Sequence, residues 1–239
     1  LNSIDLLVFA AHPDDAELAC AGTVASAIAL GKKVVFIDLT EGEMGTRGSV
    51  EQRRLESKAS AEILALAARE NLGLPDCRLE NSQAHHLKLI EVIRKYRPKV
   101  VLCNALSDRH PDHGIAAALE KDACFLSGLA KIRSAINGAE QAPWRPEKVY
   151  HYIQDQWLKP DFVVDISNFW DIKEKAILAY GSQFFNPKST EPATYISNPT
   201  FLDFVKSRAR EMGHFIGAEY GEGFQTANVP GVNNLFDLR

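Results

Sequence analysis

Two short segments concentrate the side chains that could do chemistry. The first is Ala11-His12-Pro13-Asp14-Asp15-Ala16-Glu17 and the second Asp108-Arg109-His110-Pro111-Asp112-His113. A helix start accounts for one acid of the first segment, since Asp15 could cap a following helix and acids suit a first turn. It gives no reason for His12, or for adjacent acids crowding like charge at the end of an apolar run. For the second segment, a polar loop with Asp112 or His113 near a helix start explains less than a metal motif does. Together His12, Asp15 and His113 supply two imidazoles and a carboxylate, a set that binds catalytic zinc and leaves positions open for water. Iron(II) accepts the same donors. Asp14, whose side chain diverges from that of its neighbour Asp15, is then free to take a proton from water at the ion. His110 could protonate a leaving group or hold an oxyanion, with Asp112 orienting its ring.

These segments need a scaffold that brings them together. Ile4 to Ala11 reads as a short, almost uninterrupted apolar run, as a parallel strand buried on both faces should. A small-residue helix from Glu17 to Leu30 follows, closed by Gly31, and Val34 to Leu39 is a second strand. Val50 to Leu66 carries Leu55, Ala59, Ile63 and Leu66 at helical spacing. Ala67 to Leu72 is a candidate third strand, Ser82 to Tyr96 an amphipathic helix stopped before Pro98, and Val100 to Cys103 another buried strand. The second half predicts a helix over Gly114 to Leu129, strands near Val149 to Ile153 and Phe162 to Asp165, and helices around Ile172 to Tyr180 and Phe201 to Gly217. Strand–helix–strand alternation predicts a doubly wound, mostly parallel sheet in a three-layer α/β/α domain spanning residues 1–239. Ligands bind beyond the carboxyl ends of such strands. The polar clusters His12 to Glu17, Glu41 to Arg47 and Ser107 to His113 all fall there.

Composition narrows the partners. The chain has 239 residues with 27 basic against 31 acidic side chains, a net charge of −4. Its short basic runs make no phosphate-binding stripe, so no nucleic-acid partner is expected. No apolar run approaches the ~20 residues of a membrane span, and no signal peptide is apparent, so a cytoplasmic protein is expected. The four cysteines, Cys20, Cys77, Cys103 and Cys124, are widely spaced and read as reduced core thiols. Phe184 to Pro199 reads as a long loop, of the kind that serves as a lid or an interface arm. A non-catalytic nucleotide-binding module would require a glycine-rich phosphate loop after the first strand, where this chain has His12-Pro13-Asp14-Asp15. Gly42, Gly45 and Gly48 match no nucleotide fingerprint either; they are expected to let the backbone approach a bound ligand.

The pairing of His-Pro-Asp-Asp-x-Glu after one strand with His-Pro-Asp-His after another resembles the signature of the PIG-L or LmbE-like zinc deacetylases. The resemblance implies a Rossmann-like fold and removal of N-acetyl groups from glucosamine-containing substrates. It implies zinc on His12, Asp15 and His113, Asp14 as general base and His110 as the charged or proton-donating partner. The stretches Asp38 to Gly48, Arg69 to Leu72, Asp108-Arg109 and Glu222-Gly223-Phe224 look like the bacillithiol branch, whose substrate is N-acetylglucosaminyl-malate. A homo-oligomer, as a hexamer, is implied with it. Malate presents two carboxylates, and arginine suits their capture. The resemblance places Arg53 at that acidic end, with Arg109 and then Arg47 as further candidates.

Overall fold

The computed structural model describes residues 3 to 237, so the outermost residues of the expected 1–239 domain lie outside it. Strand β1 (Leu6–Ala10) is apolar throughout and fully buried. It stands inside a seven-stranded sheet beside β2 (Val34–Thr40) and β4 (Val100–Cys103), both parallel to it. Beyond β2 lies the edge strand β3 (Ala68–Leu74), again parallel. Beyond β4 come β7 (Lys148–Tyr152), parallel, then an antiparallel strand β9 (Gly221–Gln225), and then β8 (Phe162–Asp165). The order is therefore β3-β2-β1-β4-β7-β9-β8. The chain steps from β1 through β2 to β3 on one side and returns to the other edge of β1 with β4. That reversal opens a crevice beyond the carboxyl ends of β1 and β4.

Helices cover both faces. Helices α3 (Gln83–Tyr96) and α4 (Pro111–Leu126) bury Leu89, Ile93, Ala116 and Leu119 against Leu7, Phe9 and Ile37. Helices α1 (Asp15–Ala29), α2 (Val50–Leu64) and α5 (Trp170–Leu178) bury Ala19, Val24, Leu64 and Ala176 against Leu6, Val8 and Phe36. The alternation of Leu7/Phe9 with Leu6/Val8 follows from the two-residue period of a strand. No helix among the described residues is long and apolar enough to cross a membrane.

The expected α/β/α layering is present, with some differences. Helix α1 starts at Asp15 rather than Glu17, and α4 starts at Pro111 with His110 as its N-cap, so the second chemical segment forms the helix's opening turn rather than a loop ahead of it. Strand β9 was not expected: Gly-Glu-Gly-Phe-Gln shows no apolar alternation, because its glycines meet close neighbours rather than fill space. A two-stranded hairpin, β5 (Ala135–Ile136) and β6 (Ala139–Glu140), projects ahead of β7. Between 184 and 199 there is neither helix nor strand, and α6 (Phe201–His214) follows. Cys20, Cys103 and Cys124 are buried as expected, but Cys77 is exposed in the loop after β3, beside the crevice.

Candidate active site

The end of β1 is fixed before any side chain acts. The Ala11 carbonyl accepts Thr40 N–H at 3.1 Å, and its amide donates to Asn104 Oδ1, just past β4. The next turn places Asp14 at the N-cap of α1 with φ of 108°, a left-handed conformation. For a non-glycine residue this costs about 1–3 kcal/mol and is kept where the surroundings enforce it. The capping part of the helix-start explanation fails, since Asp15 is the first helical residue and the Asp14 carboxylate makes no capping bond, while Asp15 and Glu17 do stand as acids in the first turn. Asp14 Oδ2 is buried without a hydrogen-bond partner, its nearest cation being Arg53 Nη2 at 3.5 Å.

Asp15 stands between the two imidazoles named with it. Its Oδ2 lies 3.2 Å from His12 Nδ1 and its Oδ1 3.2 Å from His113 Nε2. The opposite nitrogen of each ring faces a further carboxylate. His113 Nδ1 is 2.6 Å from Asp108 Oδ2, while His12 Nε2 is 3.1 Å from Asp76 Oδ1 and 3.3 Å from Asp112 Oδ2. Carboxylates on the far nitrogens of ligating histidines are the usual outer support of a metal centre, fixing tautomer and ring orientation. Donor chemistry and support therefore fit a divalent ion on His12, Asp15 and His113. Among the described residues, two groups have donor atoms that all lie within 4.8 Å of one another, His12 with His110 and His113, and His12 with Asp76 and Asp112; Asp15 belongs to neither. His110 Nδ1, however, accepts the Asp112 N–H at 3.3 Å, which leaves Nε2 as the atom free to face the crevice.

The charges agree with this arrangement. Burial disfavours the His113 imidazolium, but Asp15 and Asp108 outweigh it and lift its pKa to about 9. His12 is likewise raised well above its ordinary value, burial being overcome by Asp112, Asp15 and Asp76. The carboxylates thus demand positive charge at these rings, which a divalent cation would supply to the same groups. Burial pushes Asp14 up to about 7, opposed by Arg53 and assisted by Asp15. His110 is lowered by burial and by its positive neighbours His12 and His113, and so stays neutral, with its proton on Nε2.

The sequence-derived residues converge unequally. His12, Asp14, Asp15, Arg53, Arg109, His110 and His113 line one cleft of about 150 Å³ with Asp76 and Cys77. Arg109 is held by Asp155 at 3.3 Å and stacks 4.3 Å from the ring of Tyr195, which brings the 184–199 segment to the cleft mouth. Arg47 does not line the cleft. Its donors go to Ser182 O, Pro192 O and Ser189 Oγ, so it clamps the 184–199 segment. Asp112 also departs from expectation: its carboxylate serves His12 and the Cys77 N–H, and only its backbone amide holds His110. The glycines have close protein neighbours: a Cβ at Gly42 would strike the Arg53 guanidinium, and one at Gly48 would strike Ser182. Three participants were missed: Asp76 after β3, Asp108 as the partner of His113, and Gln154 after β7, which donates to Asp15 Oδ1 at 2.7 Å. The strand-end rule that exposed the two motifs applies equally to Pro75-Asp76 and Gln154.

A doubly wound sheet carrying a histidine–carboxylate cluster and a further buried acid at its switch point defines an α/β protein with a hydrolytic type of centre. The model of the family PIG-L, GlcNAc-PI de-N-acetylase, matches residues 7–124. Diacetylchitobiose deacetylase of Thermococcus kodakarensis is 31% identical over 231 residues, covering 92% of this chain and 81% of that protein. The chain belongs to this de-N-acetylase family. A crystal structure of a conserved protein from Thermus thermophilus superimposes with a TM-score of 0.86 at 38% identity, covering 97% and 98% of the two chains. The 4-oxalmesaconate hydratase of Pseudomonas putida is 28% identical over 196 residues, 74% of this chain and 73% of that protein.

Proposed function

We propose that this protein is a metal-dependent amidohydrolase that removes the acetyl group from an N-acetylglucosamine conjugate, with N-acetylglucosaminyl-malate as the substrate. The observation that carries the reading is the Asp15 carboxylate bridging two imidazoles whose far nitrogens are carboxylate-held, with a buried acid, Asp14, alongside whose Oδ2 has no hydrogen-bond partner. His12, Asp15 and His113 are the proposed ligands of zinc, with iron(II) as the other candidate. A divalent ion there would act as a Lewis acid toward the amide carbonyl and lower the pKa of water to about 7.

Asp14 takes a proton from the attacking water, a role that its raised pKa suits at neutral pH. His110, neutral with Nε2–H free, donates a hydrogen bond to the oxyanion as the tetrahedral centre forms. Collapse breaks the C–N bond, Asp14 returns its proton to the leaving amine, and acetate and free glucosamine conjugate depart. Arg53 and Arg109 face the same cleft as the proposed contacts for the aglycone carboxylates. The homo-oligomer and the cytoplasmic location belong to the same reading.

Zinc-loaded enzyme incubated with N-acetylglucosaminyl-malate and with N-acetylglucosamine should release amine and acetate stoichiometrically, faster from the malate conjugate. Equal rates on both would leave the deacetylase and remove the malate assignment. The hydratase relative carries a second reading, water addition to an unsaturated polycarboxylate by the same base and arginines. Hydration of such a compound without release of any acetate from either sugar would favour it.

A further inference from the structure

Helix α1 has given up its N-terminal cap: the Asp14 side chain makes no capping bond, and Asp15 is engaged with His12, His113 and Gln154. One turn further along, the helix is gripped from outside by a buried ion pair. Lys173 Nζ on α5 donates to the Leu18 carbonyl at 2.9 Å and to Glu222 Oε1 at 2.6 Å. Glu222 on β9 accepts the Gly22 N–H at 2.9 Å on Oε1 and the Thr23 N–H at 2.7 Å on Oε2. In an uninterrupted α-helix the Gly22 N–H pairs with the Leu18 carbonyl. In α1, which is continuous, each of those two groups also has a partner on the ion pair, so Lys173 and Glu222 brace the helical ladder from outside at that turn.

This placement is built from several elements. Lys173 is 2% exposed and Glu222 3%. A Cβ on Gly22 would collide with Ile166, so glycine there allows α1 to approach the end of β8 closely enough for Glu222 to reach it. Both charged side chains line the wall of a cavity of about 50 Å³ whose other walls include Leu18, His110 and His113. The grip thus lies directly behind the cluster, on the one helix that carries both Asp14 and Asp15. A buried ion pair is a poor device for stability alone, since apolar residues of similar volume are often as stabilising or more so.

We propose that Lys173 and Glu222 are positioning residues that lock the second turn of α1 and thereby fix Asp14 and Asp15 against His113 and Arg53. This rests on the deacetylase reading for its kinetic consequence, but not for its effect on zinc binding or on α1. The pair acts through the helix and touches no reacting atom.

The test replaces the pair by an apolar one, Lys173→Met with Glu222→Met, beside Glu222→Gln alone. Thermal unfolding, zinc affinity by chelator competition, amide exchange at residues 15–23, and kcat and KM on the acetylated substrate are read for each. The double variant should unfold within a few degrees of the parent yet bind zinc at least tenfold more weakly. Its α1 amides should exchange at least tenfold faster, and kcat should fall at least tenfold with KM within twofold. Glu222→Gln, which keeps one acceptor, should lie between. Parent-like zinc affinity and amide exchange in the folded double variant would overturn the proposal whatever the substrate proves to be. A double variant that does not fold, with Glu222→Gln indistinguishable from the parent, would assign the pair to stability and overturn it as well. Loss of zinc affinity and amide protection in a protein whose parent deacetylates nothing would uphold the positioning role and defeat the proposed activity instead.

Discussion

Arg53 and Asp14 meet head to head in the cleft, with Nη2 at 3.5 Å from Oδ2 and both side chains buried. Arg53 reaches this position by passing through the space that Gly42 leaves open, and its Nη1 donates to the Gly42 carbonyl at 2.9 Å. The glycine also needs its freedom, since φ there is +68°. Gly42→Ala should therefore act as a displaced Arg53. Both Gly42→Ala and Arg53→Ala should lower kcat/KM by about 1.5–3 kcal/mol, the range for hydrogen bonds to charged groups. The double variant should cost no more than either single one, since both remove the same contact. Additive losses in a double-mutant cycle would show that the glycine acts on something other than Arg53.

The ligand assignment separates the three histidines. His113→Ala should abolish both bound metal and turnover, measured by elemental analysis and acetate release. Asp14→Ala should retain one ion per chain and lose about 10²–10⁴ in rate, as general-base removal does. His110→Ala should also keep the ion, because Nδ1 already accepts the Asp112 amide. Metal loss in that variant would move His110 into the ligand set in place of Asp15.

The outer carboxylates give a graded prediction. Asp108 Oδ2 approaches His113 Nδ1 at 2.6 Å and also accepts amides from Arg109 and Gln156, so it is pre-set to hold the ring. Asp108→Ala should weaken metal affinity about 10–100-fold without changing stoichiometry at saturation. Asp76→Ala should do less, because Asp112 Oδ2 stays near the same His12 nitrogen. A chelator titration ranks them, and an equal or greater loss at Asp76 would reverse the order.

What could be read from the sequence followed local rules. Leu6–Ala10 and Val100–Cys103 are apolar because β1 and β4 are interior strands, and the acids and histidines after them mark strand ends at the switch point. Strand β9 was illegible because its glycines answer to neighbours distant in sequence: a Cβ on Gly221 would meet Val163 and Gly213. Asp76 was overlooked because one acid in a turn is ordinary, and only folding places it against His12, 64 residues away. The partners of Asp112 could not be assigned because backbone and carboxylate of one residue serve different histidines.

Glu120 on α4 gives the fold a pH dependence. Burial raises its pKa from 4.5 to about 8, against two hydrogen bonds from Asn104. Between those values the native protein holds a proton that the unfolded chain has released, so this group makes stability fall as pH rises through that window. Glu120→Gln carries no such proton. Its Tm should match the parent near pH 5 and exceed it increasingly up to about pH 8. A constant Tm difference across that range would mean that Asn104 keeps the carboxylate ionised.

Arg47 provides a contrast with Arg53. Its guanidinium fastens Ser182, Ser189 and Pro192, and Gln183 Nε2 in turn donates to the Arg47 carbonyl at 2.8 Å. The segment so fastened carries Tyr195 over Arg109 and Ile196 along the cleft. Loss of the clamp should loosen that wall without removing a charge from the cleft. Arg47→Ala is therefore expected to raise KM more than it lowers kcat, and by similar factors for N-acetylglucosaminyl-malate and uncharged N-acetylglucosamine. Limited proteolysis should cut between 184 and 199 sooner than in the parent, because a backbone that opens more often is cleaved more often. Arg53→Ala should instead slow both substrates through its contact with Asp14 and penalise the malate conjugate more than the uncharged sugar, with the proteolysis pattern unchanged. A penalty at Arg47 confined to the malate conjugate, with no new cleavage, would return that side chain to the substrate-binding set and refute the clamp.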